Sequence, residues 1–178
     1  MFEVDELIKD CHEALAENEP RGAIREVLTR TLASAPAVAA ALEHHHAGIT
    51  ALHRSDELTV LNVVWGPSMQ LPAHDHRMWA AIGIYAGQED NAFFRRAGAT
   101  ITDSGGKQLR ERDVLLLGSD AIHSVTNPLR SYTGAIHVYG GDFFARPRSQ
   151  WDPVTRQEQP YDLEGTLRLF EESNTATG

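Results

Sequence analysis

Apolar positions along the chain fall into two textures. Over the first third, Val4, Leu7, Ile8, Cys11 and Leu15 recur at helical spacing and form a single stripe. Asn18 offers an N-cap for a second helix, with Pro20 in its first turn and Ile24, Val27, Leu28, Thr31 and Leu32 on its buried face. Ser34 and Pro36 open a third, alanine-rich stretch. It ends in His44-His45-His46, read as an exposed helix end where imidazolium suits the dipole. From about Ile49 the pattern shifts to short β-branched and aromatic runs, Leu58–Trp65 and Ala80–Tyr85, closed by Gly66-Pro67 and Gly87. Ala92–Arg96, Asp113–Leu117, His123–Thr126 and Ala135–Tyr139 continue the series. Gln88–Asn91, Asp103–Gly106 and Asn127-Pro128 read as turns between them. Many short strands without intervening helices predict an all-β core, an antiparallel sandwich or barrel. Near the end, Asp162 is placed to cap a short helix carrying Leu163, Leu167 and Phe170. The expected organisation is a helical extension over 1–48 packed outside, a barrel over 49–160, and a tail over 161–178.

Composition narrows the function classes. At 178 residues, 42% hydrophobic and 23% charged, the chain can bury one full core. A formal charge of −9 with no basic face beyond Arg95-Arg96 argues against nucleic acid as a partner. The start, Met1-Phe2-Glu3-Val4-Asp5, lacks the basic and apolar regions of a signal peptide. The longest apolar stretch, Met78 to Gly87, is far short of the roughly 18–20 residues that span a bilayer, so no membrane partner is expected. A single cysteine, Cys11, excludes an internal disulfide and reads as a small buried residue. These features predict a cytoplasmic protein.

The candidate chemistry sits in His74-Asp75-His76. Residues two apart on a strand share a face, so both imidazoles can converge on one point while Asp75 turns away. A third histidine, His123, heads the strand in Asp120–Asn127. Three neutral imidazoles suit a divalent transition metal and leave positions open for ligands.

With Gly66, His74, His76 and Gly87 in one block and His123 and Asn127 in another, the sequence resembles the cupin superfamily. The resemblance implies a double-stranded β-helix, or jelly-roll, barrel. Gly118 and Asp120 stand where Pro and Gly are usual, and Ala80 or Ala81 stands where a carboxylate ligand is usual. That leaves a three-histidine site. The stretches Trp65-Gly66-Pro67, His74-Asp75-His76, Ile122–Asn127 and Ile136-His137-Val138-Tyr139 are similar to the cysteine dioxygenase family of thiol dioxygenases, especially its bacterial branch. That resemblance implies ferrous iron held by His74, His76 and His123. It implies a His-x-Tyr pair, His137 and Tyr139, beside the metal, and oxidation of a small thiol to the sulfinate with O2. Ala135 stands where the family often carries a serine two residues before this pair. Met78–Ala81 offers no cysteine for the tyrosine crosslink of animal members.

A carboxylate-bearing thiol also needs a cationic clamp. None aligns with the family's arginine: Ala51 falls near the expected place, Arg54 is the nearest arginine, and Arg77 directly follows His76. Arg54 and Arg77 are the candidate substrate contacts, with Trp79 at the pocket mouth. Zinc or another divalent metal suits the same ligands. An oxygenase acting on a non-thiol substrate and a metal-holding or sensing cupin without turnover are the competing functions. Strand edges leave a homodimer open.

Overall fold

The computed structural model describes residues 1–175. Three helices come first: α1 (Val4–Leu15), α2 (Pro20–Leu32) and α3 (Ala35–Ala41). Eleven strands follow: β1 (Gly48–Arg54), β2 (Thr59–Trp65), β3 (Gln70–Asp75), β4 (Ala80–Ala86), β5 (Gln88–Ala97), β6 (Thr100–Arg110), β7 (Val114–Leu117), β8 (Ile122–Thr126), β9 (Thr133–Tyr139), β10 (Ser149–Trp151) and β11 (Glu158–Pro160). Helix α4 (Leu163–Thr175) ends the described chain, and residues 176–178 of the expected tail lie outside it.

The strands form two antiparallel sheets, ordered β1-β2-β9-β4-β7 and β11-β10-β3-β8-β5-β6. From β2 to β9 the chain alternates between sheets at every step except the β5–β6 hairpin. That winding is the double-stranded β-helix expected from the sequence. Gly87 makes one crossing: its φ is +80°, and a Cβ there would collide with Thr133.

Strands β2 and β9 are buried on both faces, and period-2 alternation sorts their side chains. Val60, Ile136 and Val138 face the helices, joining Leu7, Cys11, Ile24, Leu28 and Leu32 in one core. Leu61, Val63, Trp65, Ala135 and Tyr139 face the barrel interior with Ile82, Ile84, Leu115 and Val125. The helices therefore cover the outside of the five-stranded sheet. The described residues contain no helix long and apolar enough to cross a membrane.

Several local expectations are corrected. Glu19, not Asn18, takes the N-cap position of α2, and no side chain caps it. Helix α3 stops at Ala41, so the histidine run lies in the following loop; there His44 Nδ1 sits 3.2 Å from Leu42 O. Gln88–Asn91 is not a turn but the start of β5, with Glu89 and Asn91 buried. Asp103–Gly106 lies within β6, where pairing slips between Phe93 and Phe94 and Gly105 has φ +118°. A β-bulge, not a chain reversal, uses the glycines there. Asp162 does cap α4, its Oδ1 accepting the Gly165 N–H at 2.8 Å. Leu167 points outward; Thr166 and Phe170 are the buried pair, and Phe170 stacks on Trp65 at 5.1 Å.

Candidate metal centre

His74 and His123 are direct cross-strand partners on β3 and β8, and His76 follows just beyond the end of β3. The three imidazoles, His74, His76 and His123, are 5%, 3% and 1% exposed, with one possible ligand atom of each within 4.8 Å of the others. Ring centroids lie 4.7 to 5.0 Å apart. Asp75, between two of them, turns to the other face, where it accepts the Ser149 N–H at 2.8 Å and pairs with Arg77 at 2.7 Å.

The nitrogen inventory fits a metal. His74 Nδ1 is 2.9 Å from the Pro72 carbonyl, which can only accept, so its Nε2 carries the lone pair. His123 Nδ1 is 2.7 Å from Asn91 Oδ1, and His123 Nε2 is buried without a partner, as is His76 Nδ1. These two rings have centroids 5.0 Å apart, and buried nitrogens left without a partner are costly unless a cation or donor satisfies them. Bonds from the far ring nitrogens to a carbonyl and an amide are the outer support that orients metal-ligating histidines.

Burial, above all, lowers the basicity of all three rings. His74 falls to about 4, with the Pro72 hydrogen bond opposing and the Arg148 charge adding to the effect. His76 and His123 lie well below the ordinary value, each also repelled by neighbouring imidazoles. Neutral imidazole is the form that ligates. Because the folded-state value sits below the unfolded one, the associated stability is present above pH 6.5 and is lost as pH falls through about 4. For His74 alone this amounts to on the order of 3 kcal/mol. The urea midpoint of metal-free protein is therefore expected to drop steadily from pH 6.5 to 4. Replacing His74 by asparagine should flatten that slope; a wild-type midpoint constant across the window would mean the imidazoles are hydrated.

Beside the histidines lies a polar network. Tyr139 is buried, and its ring is 5.0 Å from that of His76. Burial raises its phenol well above the ordinary value, so it stays protonated. Its hydroxyl is 3.0 Å from His137 Nδ1. His137 Nε2 has no hydrogen-bond partner and faces Glu89 Oε2 at 3.6 Å. Glu89, fully buried, accepts the Trp65 Nε1–H at 2.8 Å and the Asn91 Nδ2–H at 2.9 Å.

The expected substrate contacts lie elsewhere. Arg54 is half exposed and bonded through Nε and Nη2 to Asp142. Arg77 points away from the histidines towards Asp75, Ser149 and Glu158. Trp79 packs on the helix-side core against Gly140. None of the three lines the cavity at the histidines.

Arg148, which sequence reasoning missed, is a buried cation behind the cavity wall; it is not itself a lining residue, but its charge reaches His74 and His76. It sits just before β10, is 8% exposed, and lies between the Phe143 and Tyr161 rings at 4.2 and 4.0 Å. Both rings line the cavity with His74, His76, His123, His137 and Tyr139. Nη1 donates to the Phe143 and Arg146 carbonyls, whereas Nε and Nη2 are buried without partners. The cavity measures about 20 Å³, room for about one water-sized group.

No family model matches the sequence. Solved structures with similar architecture include the Schizosaccharomyces pombe Cnp3 cupin domain, at 9% identity over 54% of this chain and 61% of that domain, TM-score 0.44. A cupin superfamily protein from Desulfitobacterium hafniense aligns at 16% identity over 59% of this chain and 88% of its own, TM-score 0.47. A Bacillus subtilis oxalate decarboxylase variant aligns at 18% identity over 51% of this chain and 23% of its own, TM-score 0.42. The alignment thus spans less than two thirds of the Cnp3 domain and about a quarter of the decarboxylase. The winding of the strands and the gathering of the histidines make the fold a cupin-type double-stranded β-helix with three histidines able to hold a divalent metal.

Proposed function

We propose that the protein is a non-haem iron dioxygenase that converts a small, negatively charged thiol to its sulfinate, RSH + O2 → RSO2H. The observation that carries this reading is a carboxylate-free cluster of three neutral imidazoles beside a buried arginine with unused N–H groups. Bound ferrous iron would supply the redox chemistry that unites sulfur and dioxygen, and three neutral ligands leave its positive charge available to a thiolate. Arg148 would take the substrate's anionic end through Nε and Nη2, a paired geometry suited to a carboxylate. Tyr139, held by His137, would sit against the reacting end. The apolar walls, Ile49, Leu61, Val63, Leu71 and Val125, exclude water.

The tight cavity favours a second reading, a metal-holding cupin without turnover. Against it stands Arg148. Burying two guanidinium nitrogens unpaired costs free energy, and such a cost persists where a ligand later satisfies them.

Oxygen uptake by protein reconstituted anaerobically with ferrous iron separates the readings. Anionic small thiols are expected to drive uptake with sulfinate formation, whereas thiol-free analogues should not. Bound iron with no uptake for any thiol would remove the dioxygenase reading.

A further inference from the structure

Among the described residues, Glu89 is the carboxylate bonded into the network around the cavity; it is not one of the three clustered histidine ligands and touches that cluster only through Asn91, the partner of His123. It lies on β5, in the six-stranded sheet, and reaches His137 on β9 of the opposite sheet. Two donors fix it: the Trp65 indole N–H on Oε2 and the Asn91 amide N–H on Oε1. Both oxygens are thus engaged as acceptors, and Oε2 faces His137 Nε2 at 3.6 Å. Ala135, two residues before His137 on the same strand face, offers no hydrogen-bonding side chain. Among the described residues, Glu89 is the acidic group paired with His137.

We propose that Glu89 is a positioning residue that keeps the His137 proton on Nε2 and so makes the Tyr139 hydroxyl a proton acceptor towards the cavity. A carboxylate facing Nε2 stabilises the tautomer protonated there. Nδ1 then bears a lone pair, and the Tyr139 O–H, 3.0 Å away, donates to it. The remaining lone pairs of the phenolic oxygen are left for the cavity. When a bound ligand gives up its acidic proton, that proton goes to Tyr139 Oη while the tyrosine proton moves to His137 Nδ1. The resulting imidazolium faces Glu89, in the same order of carboxylate, imidazole and hydroxyl that activates serine nucleophiles but with the two ring nitrogens exchanged. The opposite tautomer would reverse every link: Nδ1–H would donate to Tyr139, whose own proton would then point at the ligand. The tautomer belongs to the chain itself; its use in deprotonating a thiol rests on the function proposed above.

Long-range proton–nitrogen NMR of the metal-free and the zinc-loaded protein reads the His137 tautomer without any turnover. The expected result is a protonated Nε2 and an unprotonated Nδ1 in wild type, a preference lost in Glu89→Gln. A wild-type ring protonated at Nδ1, or a Glu89→Gln ring still protonated at Nε2, overturns the proposal. In the iron-loaded protein, Glu89→Gln and Tyr139→Phe should each lower kcat by about 100-fold with KM little changed. The double variant should be no slower than either alone, because the residues act as one unit. Additive losses would likewise overturn it. If wild-type protein shows the Nε2–H tautomer but consumes no thiol, the function fails and the positioning role stands. Thiol oxidation by a protein whose His137 ring is protonated at Nδ1 would keep the function and remove the positioning role.

Discussion

Replacing His123 with alanine is expected to abolish metal retention and leave the barrel folded. The imidazole is 1% exposed, pairs across strands with His74, leaves its Nε2 buried without a partner, and has a possible ligand atom within 4.8 Å of those of His74 and His76. Loss of a single outer partner costs roughly 10–100-fold in metal affinity, so removing a ligand outright should exceed that range. Asn91→Ala tests the comparison within one site: it removes only the acceptor at His123 Nδ1, 2.7 Å away, and should fall inside the range. The fold should survive because His123 adds no apolar bulk to the core. Metal content after dialysis, with a thermal melt on the same sample, decides the matter. Full metal stoichiometry in His123→Ala would place the metal elsewhere.

Why this triad is readable from sequence, and its surroundings are not, follows from how each residue is held. His74 and His76 announce themselves because strand geometry gives two-residue spacing a fixed meaning, and His123 heads a strand with a clear apolar pattern. β2 and β9 are equally legible as strands, since both are β-branched runs, but which of their faces meets the helices is not. Glu89 and Asn91 are hidden because the inward positions at the start of β5 are polar, so Gln88–Asn91 imitates a turn after Gly87. The alternation of Glu89, Asn91 and Phe93 is the available signal. Arg148 gives less still: it lies in the irregular Gly140–Arg148 segment, where an arginine normally lies in solvent. Its role depends on Phe143 and Tyr161, 5 and 13 residues away, closing on it. Arg54 and Arg77 are nearer the motif in sequence, but Asp142 and Asp75 have already claimed them.

Arg148→Gln is expected to separate binding from stability. For a thiol carrying a carboxylate, kcat/KM should fall by about 100-fold or more, since losing one partner of a buried charged pair costs roughly 2–5 kcal/mol. For a neutral thiol of similar size the change should stay within a few-fold, because no anion then waits for the guanidinium. The free protein should melt within about 1 kcal/mol of wild type. Substitution loses two cation–π contacts, each worth roughly 0.5–2 kcal/mol, together with the carbonyl bonds of Nη1. It also removes a buried charge with two nitrogens unsatisfied, a gain of similar size and opposite sign. An arginine kept only to tie the Phe143–Tyr161 segment together would give the contrary pattern: a clear fall in melting temperature and equal losses for charged and neutral thiols. Kinetics on the thiol pair, read beside the melts, therefore distinguish an anion site that stores its cost until substrate arrives from a plain structural contact.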